Sequence, residues 1–238
     1  MRPAILIVPM LALTFVTLTQ LHAAGANPTV SCSEGFDDVA QLGAQGWLIL
    51  NRSDPLGTTN WFQGIPARFP AQAGASDSYA SADQDNGSGS FPVISDWLIT
   101  PDIQFFDGNT LDFYTRELAG ANDAPNRLQV LLCMDGGSQP CTDPGAESGD
   151  LGGFQTTLFD INADAEAGGY PAVWTQYTAT SALGLPQSGS GRIAFHFYTF
   201  AQGASSTGTT IGVDSVSLNQ VAVCPFADVI FANGFDGN

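Results

Sequence analysis

The chain has 238 residues and a formal charge of −17, set by 23 acids against six arginines and no lysine. Nucleic acid and anionic membrane surfaces are excluded as partners, because phosphate binding needs clustered cations and Arg52, Arg68, Arg116, Arg127 and Arg192 are scattered. Of the acids, 19 are Asp and four are Glu, a bias shared by calcium-holding turns and by ordinary turns in which Asp bonds its own backbone.

At the N-terminus, Arg2 precedes the apolar run Ala4 to Phe15 and then the small residues Ala23, Ala24 and Ala26. This is the pattern of a secretory signal peptide over residues 1–26, with an A-x-A cleavage site. The run is shorter than the roughly 20 residues a spanning helix needs, and no stop-transfer segment follows. The mature chain is therefore expected to be secreted, extracellular or periplasmic, without membrane insertion.

From there the period is two rather than 3.6. Strands are predicted at Trp47 to Asn51, Ser78 to Ala82, Trp97 to Thr100, Leu111 to Arg116, Arg127 to Leu132, Phe154 to Phe159, Val173 to Thr180, Gly191 to Tyr198 and Thr210 to Leu218, each bounded by Gly, Pro, Asn, Asp or Ser. About ten antiparallel strands at such spacing predict an all-β fold, a β-sandwich or jelly roll. The one helical signal is Ile161 to Ala167, with Asp160 as its cap. No repeat or linker divides the chain, so residues 32–218 read as one domain and 219–238 as a short tail.

Cys32, Cys133, Cys141 and Cys224 form an even set, expected in an exported chain to make two disulfides. Geometry favours closing the Gly/Pro-rich loop between Cys133 and Cys141 and stapling the chain ends through Cys32 and Cys224. None has a C-x-x-C neighbour, which argues against zinc or a redox motif.

Two acidic motifs bracket the strands: Ser33-Glu34-Gly35-Phe36-Asp37-Asp38 and Ile211-Gly212-Val213-Asp214-Ser215-Val216. If the first and last strands lie side by side, Glu34, Asp37 and Asp214 converge, with Asp77 as a further donor, and hard oxygens of this kind suit a structural Ca²⁺ ion. The run Asp83-Gln84-Asp85-Asn86-Gly87 is not an EF-hand loop, since its glycine is misplaced and Ile94 stands where the distal Glu belongs.

The set Glu34-x-Phe36-Asp37, Gly46-Trp47, Trp61-Phe62, Tyr79-Ala80, Ser95-Asp96-Trp97-Leu98-Ile99-Thr100-Pro101, Trp174-Thr175-Gln176-Tyr177 and Ile211 to Val216 resembles the choice-of-anchor J domains, relatives of the cleaved-adhesin and MAM-like jelly rolls. The resemblance implies a secreted or surface-attached bacterial jelly roll used for adhesion or carbohydrate binding, with a structural ion between the first and last strands and no assigned catalytic site. The chain departs from the family's C-terminal sorting pattern: Cys224 to Asp236 carries no hydrophobic anchor followed by basic residues.

For a glycan, a flat ring stacks on a sugar's apolar face while neighbouring amides bind its hydroxyls. Trp61 and Phe62, beside Asn60 in a loop-rich stretch, are the candidates, whereas Trp47, Trp97 and Trp174 lie in strand patterns and read as core. Catalysis lacks parts. His196 is the only histidine outside the signal segment, where it alternates with Phe195 and Phe197, and there is neither G-x-S-x-G nor H-E-x-x-H. The expected function is a non-catalytic module binding a glycan or a cell-surface protein; a two-carboxylate hydrolase of polysaccharide or protein, or a structural matrix protein, are the alternatives.

Overall fold

The computed structural model describes residues 30–120, 125–200, 209–221 and 223–226. The signal segment 1–26, the connection 202–208 and the end of the tail from 227 lie outside the described residues. Twelve strands occur among those described: β1 (Val30–Glu34), β2 (Leu48–Asn51), β3 (Phe62–Gln63), β4 (Ala80–Asp83), β5 (Ile94–Ile99), β6 (Ile103–Phe106), β7 (Thr110–Glu117), β8 (Leu128–Met134), β9 (Thr156–Ile161), β10 (Thr175–Ala179), β11 (Ser188–Thr199) and β12 (Thr210–Val221). They form two antiparallel six-stranded sheets. One runs β10-β7-β12-β4-β3 with β1 beside β12, and the other runs β2-β5-β11-β8-β9 with β6 beside β11. The two sheets form a jelly-roll sandwich.

Alternation in β7 shows how the core is made. Leu111, Phe113, Thr115 and Glu117 point inward and are buried, while Asp112, Tyr114 and Arg116 face out. Phe113 meets Phe195 of the opposite sheet edge to face, with ring centroids 5.2 Å apart. Each such ring removed from water stabilises the fold by about 1.5–3 kcal/mol.

Central strands β5 and β11 depart from the simple alternation because both of their faces are covered. Ile94 to Ile99 are all buried. Outside this sheet the segment after β8 folds back, pinned by the Cys133–Cys141 disulfide, and lays Phe154 against Trp97 at 5.4 Å. The other sheet has its own cover. Phe69 stacks on Tyr79 at 4.9 Å and Trp174 closes edge-on against both rings, directly above Gly212.

Both disulfides join the partners expected, 133 with 141 and 32 with 224. The helical expectation at Ile161 to Ala167 is corrected: Ile161 ends β9 and a turn follows, in which Asn162 takes a left-handed conformation and its side-chain amide bonds the carbonyls of Asn126 and Glu166. The helical turns observed are short 3₁₀ segments at Val39–Gln45, Gln84–Asn86 and Ser181–Leu183. Strands β3 and β6 fall where no strand was predicted. In the tail, Cys224 and Phe226 pack into the core, Phe226 against Trp47.

Candidate functional site

The chain ends do meet. Glu34 of β1 lies opposite Val216 of β12, two residues beyond Asp214. The four acids assigned there nevertheless have separate employments. Glu34 turns back so that Oε1 accepts from Phe36 N at 2.7 Å, supporting a left-handed Phe36. Asp37 accepts from Ser78 Oγ at 2.6 Å. Asp77 is exposed and uses its backbone carbonyl, which takes Gln63 Nε2 at 2.6 Å.

Asp214 is fully buried at a bulge of β12 where Ser215 is left-handed. Its carboxylate accepts from the peptide N–H groups of Gln72, Ala73 and Ser215. Burial raises its pKa while those donors pull the other way. Among the described residues no three Asp, Glu, His or Cys side chains gather in a metal-holding group. A cation held by Glu34, Asp37, Asp77 and Asp214 would share the Asp214 carboxylate with these peptide donors.

The aromatic candidates lie elsewhere, where β2 and β3 form neighbouring edges of the two sheets. Between them, beside the 39–45 turn, opens a cleft of about 730 Å³ lined by Asp38, Val39, Ala40, Gly43, Ile49, Asn60, Trp61, Phe62 and Gln63. Asn60 is exposed and Phe62 half-buried, with the Arg68 guanidinium 5.7 Å from its ring centre. Trp61 is corrected: it is 3% exposed and belongs to the core, so its ring cannot serve as a stacking platform. Gln63 is fully employed, its amide donating to the carbonyls of Phe36 and Asp77 and accepting from Val39 N. Asp38 caps the helical turn through Ala40 N. What remains for a ligand is one aromatic ring, one free amide and an apolar wall, the usual make-up of a small-ligand site. Asp38 and Ile49 escaped sequence reasoning because they reach the cleft from a turn and a strand remote from Asn60.

His196 is fully buried, stacked on Trp97 with centroids 3.7 Å apart. Trp97 Nε1 donates to Ser95 Oγ, so the hydroxyl proton is directed to His196 Nε2 at 2.9 Å, and Nδ1 donates to Gln129 Oε1 at 3.1 Å. The ring is therefore held neutral, and burial, helped by the Arg127 charge, pushes its pKa well below the ordinary value. This is a serine–histidine contact with no opening to substrate. In the depression of about 370 Å³ on the 139–152 segment, Asp143 and Asp150 are neighbours. The Gly145 N–H and the Arg52 guanidinium hold Asp143 below the usual carboxylate range, opposite to what a general acid requires.

No protein-family model matches the chain, and no curated protein does. Solved structures do. The K1 cleaved adhesin domain of Lys-gingipain from Porphyromonas gingivalis is 18% identical over 79% of this chain and 97% of that one, with a TM-score of 0.50. The K3 domain of the same protein is 19% identical over 81% and 99%, with a TM-score of 0.48. A xylan-binding domain from Paenibacillus barcinonensis is 11% identical over 85% and 100%, with a TM-score of 0.38. At these identities the likeness is one of fold.

Proposed function

We propose that this chain is an exported, non-catalytic recognition module that holds a glycan in the cleft between β2 and β3. The observation that carries the reading is the cleft itself: its volume lies in the range of small-ligand sites, and it presents the Phe62 ring beside the free Asn60 amide. Two disulfides support an oxidising compartment outside the cytoplasm. Among the described residues no helix is long and apolar enough to cross a membrane.

The same geometry supports a non-catalytic role. Asp38 is the one acid lining the cleft, whereas glycoside hydrolysis by the usual route needs two carboxylates flanking the bond. The K1 cleaved adhesin domain of Lys-gingipain shares the fold, which supports an adhesion or recognition role.

The test is a glycan array followed by calorimetry on the strongest hit. Phe62→Ala and Asn60→Ala are each expected to weaken binding by roughly tenfold, the equivalent of about 1.4 kcal/mol. An array blank for the parent, or affinities unmoved in both variants, removes the proposal.

A further inference from the structure

Charge divides the sugars that the cleft could hold. Asp38 is exposed and is the one charged residue among those lining it. Its Oδ1 accepts from Ala40 N at 3.1 Å, and Oδ2 has no hydrogen-bond partner among the described residues. Two more exposed acids adjoin. Asp37 precedes Asp38 and accepts from Ser78 Oγ, while the backbone carbonyl of Asp77 takes Nε2 of the lining residue Gln63 at 2.6 Å.

Among the described residues no arginine forms an ion pair with any of these three acids. Arg68, whose guanidinium lies 5.7 Å from the Phe62 ring centre, commits Nη1 to Asp83 and Thr210 at 2.8 Å each. Arg192 donates to the carbonyls of Thr100 and of Gly46, which ends the 39–45 turn at the end opposite Asp38. Arg52 and Arg127 pair with Asp143 and Asp160, and Arg116 lies over the Phe69 ring.

A carboxylate or sulfate entering the cleft therefore loses water and meets fixed negative charge, with no free guanidinium to form the bidentate pair that suits such groups. Like charges a few ångströms apart weaken binding by roughly fivefold in bulk water, and by more where protein replaces water. The chain's charge of −17 adds a long-range field of the same sign. Hydrogen bonding points the same way: Asp38 Oδ2 only accepts, so it suits a hydroxyl, whereas a uronate or sulfate group brings no donor to it.

On the basis of the glycan site proposed above, we infer that the cleft selects uncharged glycans and rejects acidic ones, with Asp38 setting the selection. The sugar's apolar face rests on Phe62, the Asn60 amide serves its oxygens and Asp38 takes a hydroxyl proton. Uronate-rich and sulfated polysaccharides are excluded as ligands of this cleft.

The experiment is a glycan array printed in matched pairs, each uronate oligomer beside its methyl ester and each sulfated oligomer beside its unsulfated form, in buffer free of divalent ions that would bridge like charges. Parent and Asp38→Asn are compared at about 0.01 M and 1 M salt, where the screening length is about 30 and 3 Å. Asn caps a helical turn as well as Asp does, so the variant removes the charge and keeps the cap. The parent's strongest hits are expected to be uncharged. Within a pair that binds, the uncharged member is expected to lead by roughly tenfold at low salt, and both high salt and Asp38→Asn narrow the lead. A strongest hit that is acidic overturns the selection while leaving the glycan site standing, and so does a lead that neither salt nor the variant narrows. A blank parent array removes the site and the selection together. If Asp38→Asn does not fold, the salt dependence of the parent decides alone.

Discussion

Phe226 lies stacked on Trp47, with ring centroids 5.4 Å apart and planes 22° from parallel. A residue from the tail thereby caps a core tryptophan whose other side meets Phe36 edge-on at 5.6 Å. Phe226→Ala is expected to destabilise the fold by about 3–5 kcal/mol, the usual cost of removing a buried phenylalanine ring. Urea unfolding of the two proteins measures it; a loss under about 1 kcal/mol would mean that the tail is dispensable to the core.

The two disulfides close loops of very different length, spanning 192 and 8 residues of sequence. If the chain-entropy account governs, replacing Cys32 and Cys224 by Ser costs about 4–5 kcal/mol, and replacing Cys133 and Cys141 costs clearly less. Melting of the two double variants orders them. Equal losses would point instead to the packing of the 134–155 cover as the main contribution of the shorter bridge.

Gly212 has room for hydrogen only. A Cβ there would meet Phe69 Cε2 and Trp174 Cη2 at 2.9 Å and Tyr79 Cδ2 at 3.0 Å. Gly212→Ala should lift the aromatic cover at a cost of about 1–3 kcal/mol and raise Trp174 exposure, seen as a red-shifted, more quenchable fluorescence. An unchanged emission spectrum would show that the cover sits higher than described.

Buried, neutral His196 makes stability depend on pH. Its folded pKa is depressed, so folding excludes a proton; the contribution is complete above the ordinary histidine value and is lost as pH falls below it. The buried acids Asp96, Glu117 and Asp214 act in the opposite sense, because their raised pKa values favour the folded state at low pH. A difference measurement isolates the imidazole. The stability of the parent relative to His196→Gln is expected to fall as pH goes from about 7.5 to 5.5. A flat difference would place a charged or solvated ring at this position.

Much of the sandwich was legible because strands such as β6 and β7 bury one face and so alternate with period two. Where legibility failed, tertiary cover had changed the rule. Residues of β5 are buried on both faces, so burial does not set the core-facing Asp96 apart from its neighbours; reading Ile94, Asp96 and Leu98 as one face would have exposed it. Strand β3, with two residues, is too short to carry a period. Trp61 looked exposed for its loop-rich surroundings, yet the adjacent strand edge and the 39–45 turn enclose it. The convergence of chain ends was readable from the two acidic motifs, but not the peptide donors from Gln72 and Ala73 that satisfy Asp214, since nothing local in the sequence marks them.

The Cys32–Cys224 bond has a mechanical consequence. Any flanking segment before Val30 or after Phe226 attaches to the same corner of the sandwich, on either side of one covalent cross-link. Tension applied between those segments runs through the sulfur bridge and leaves the strands unloaded, so while the bridge is oxidised the module acts as a clasp that transmits pull without unravelling.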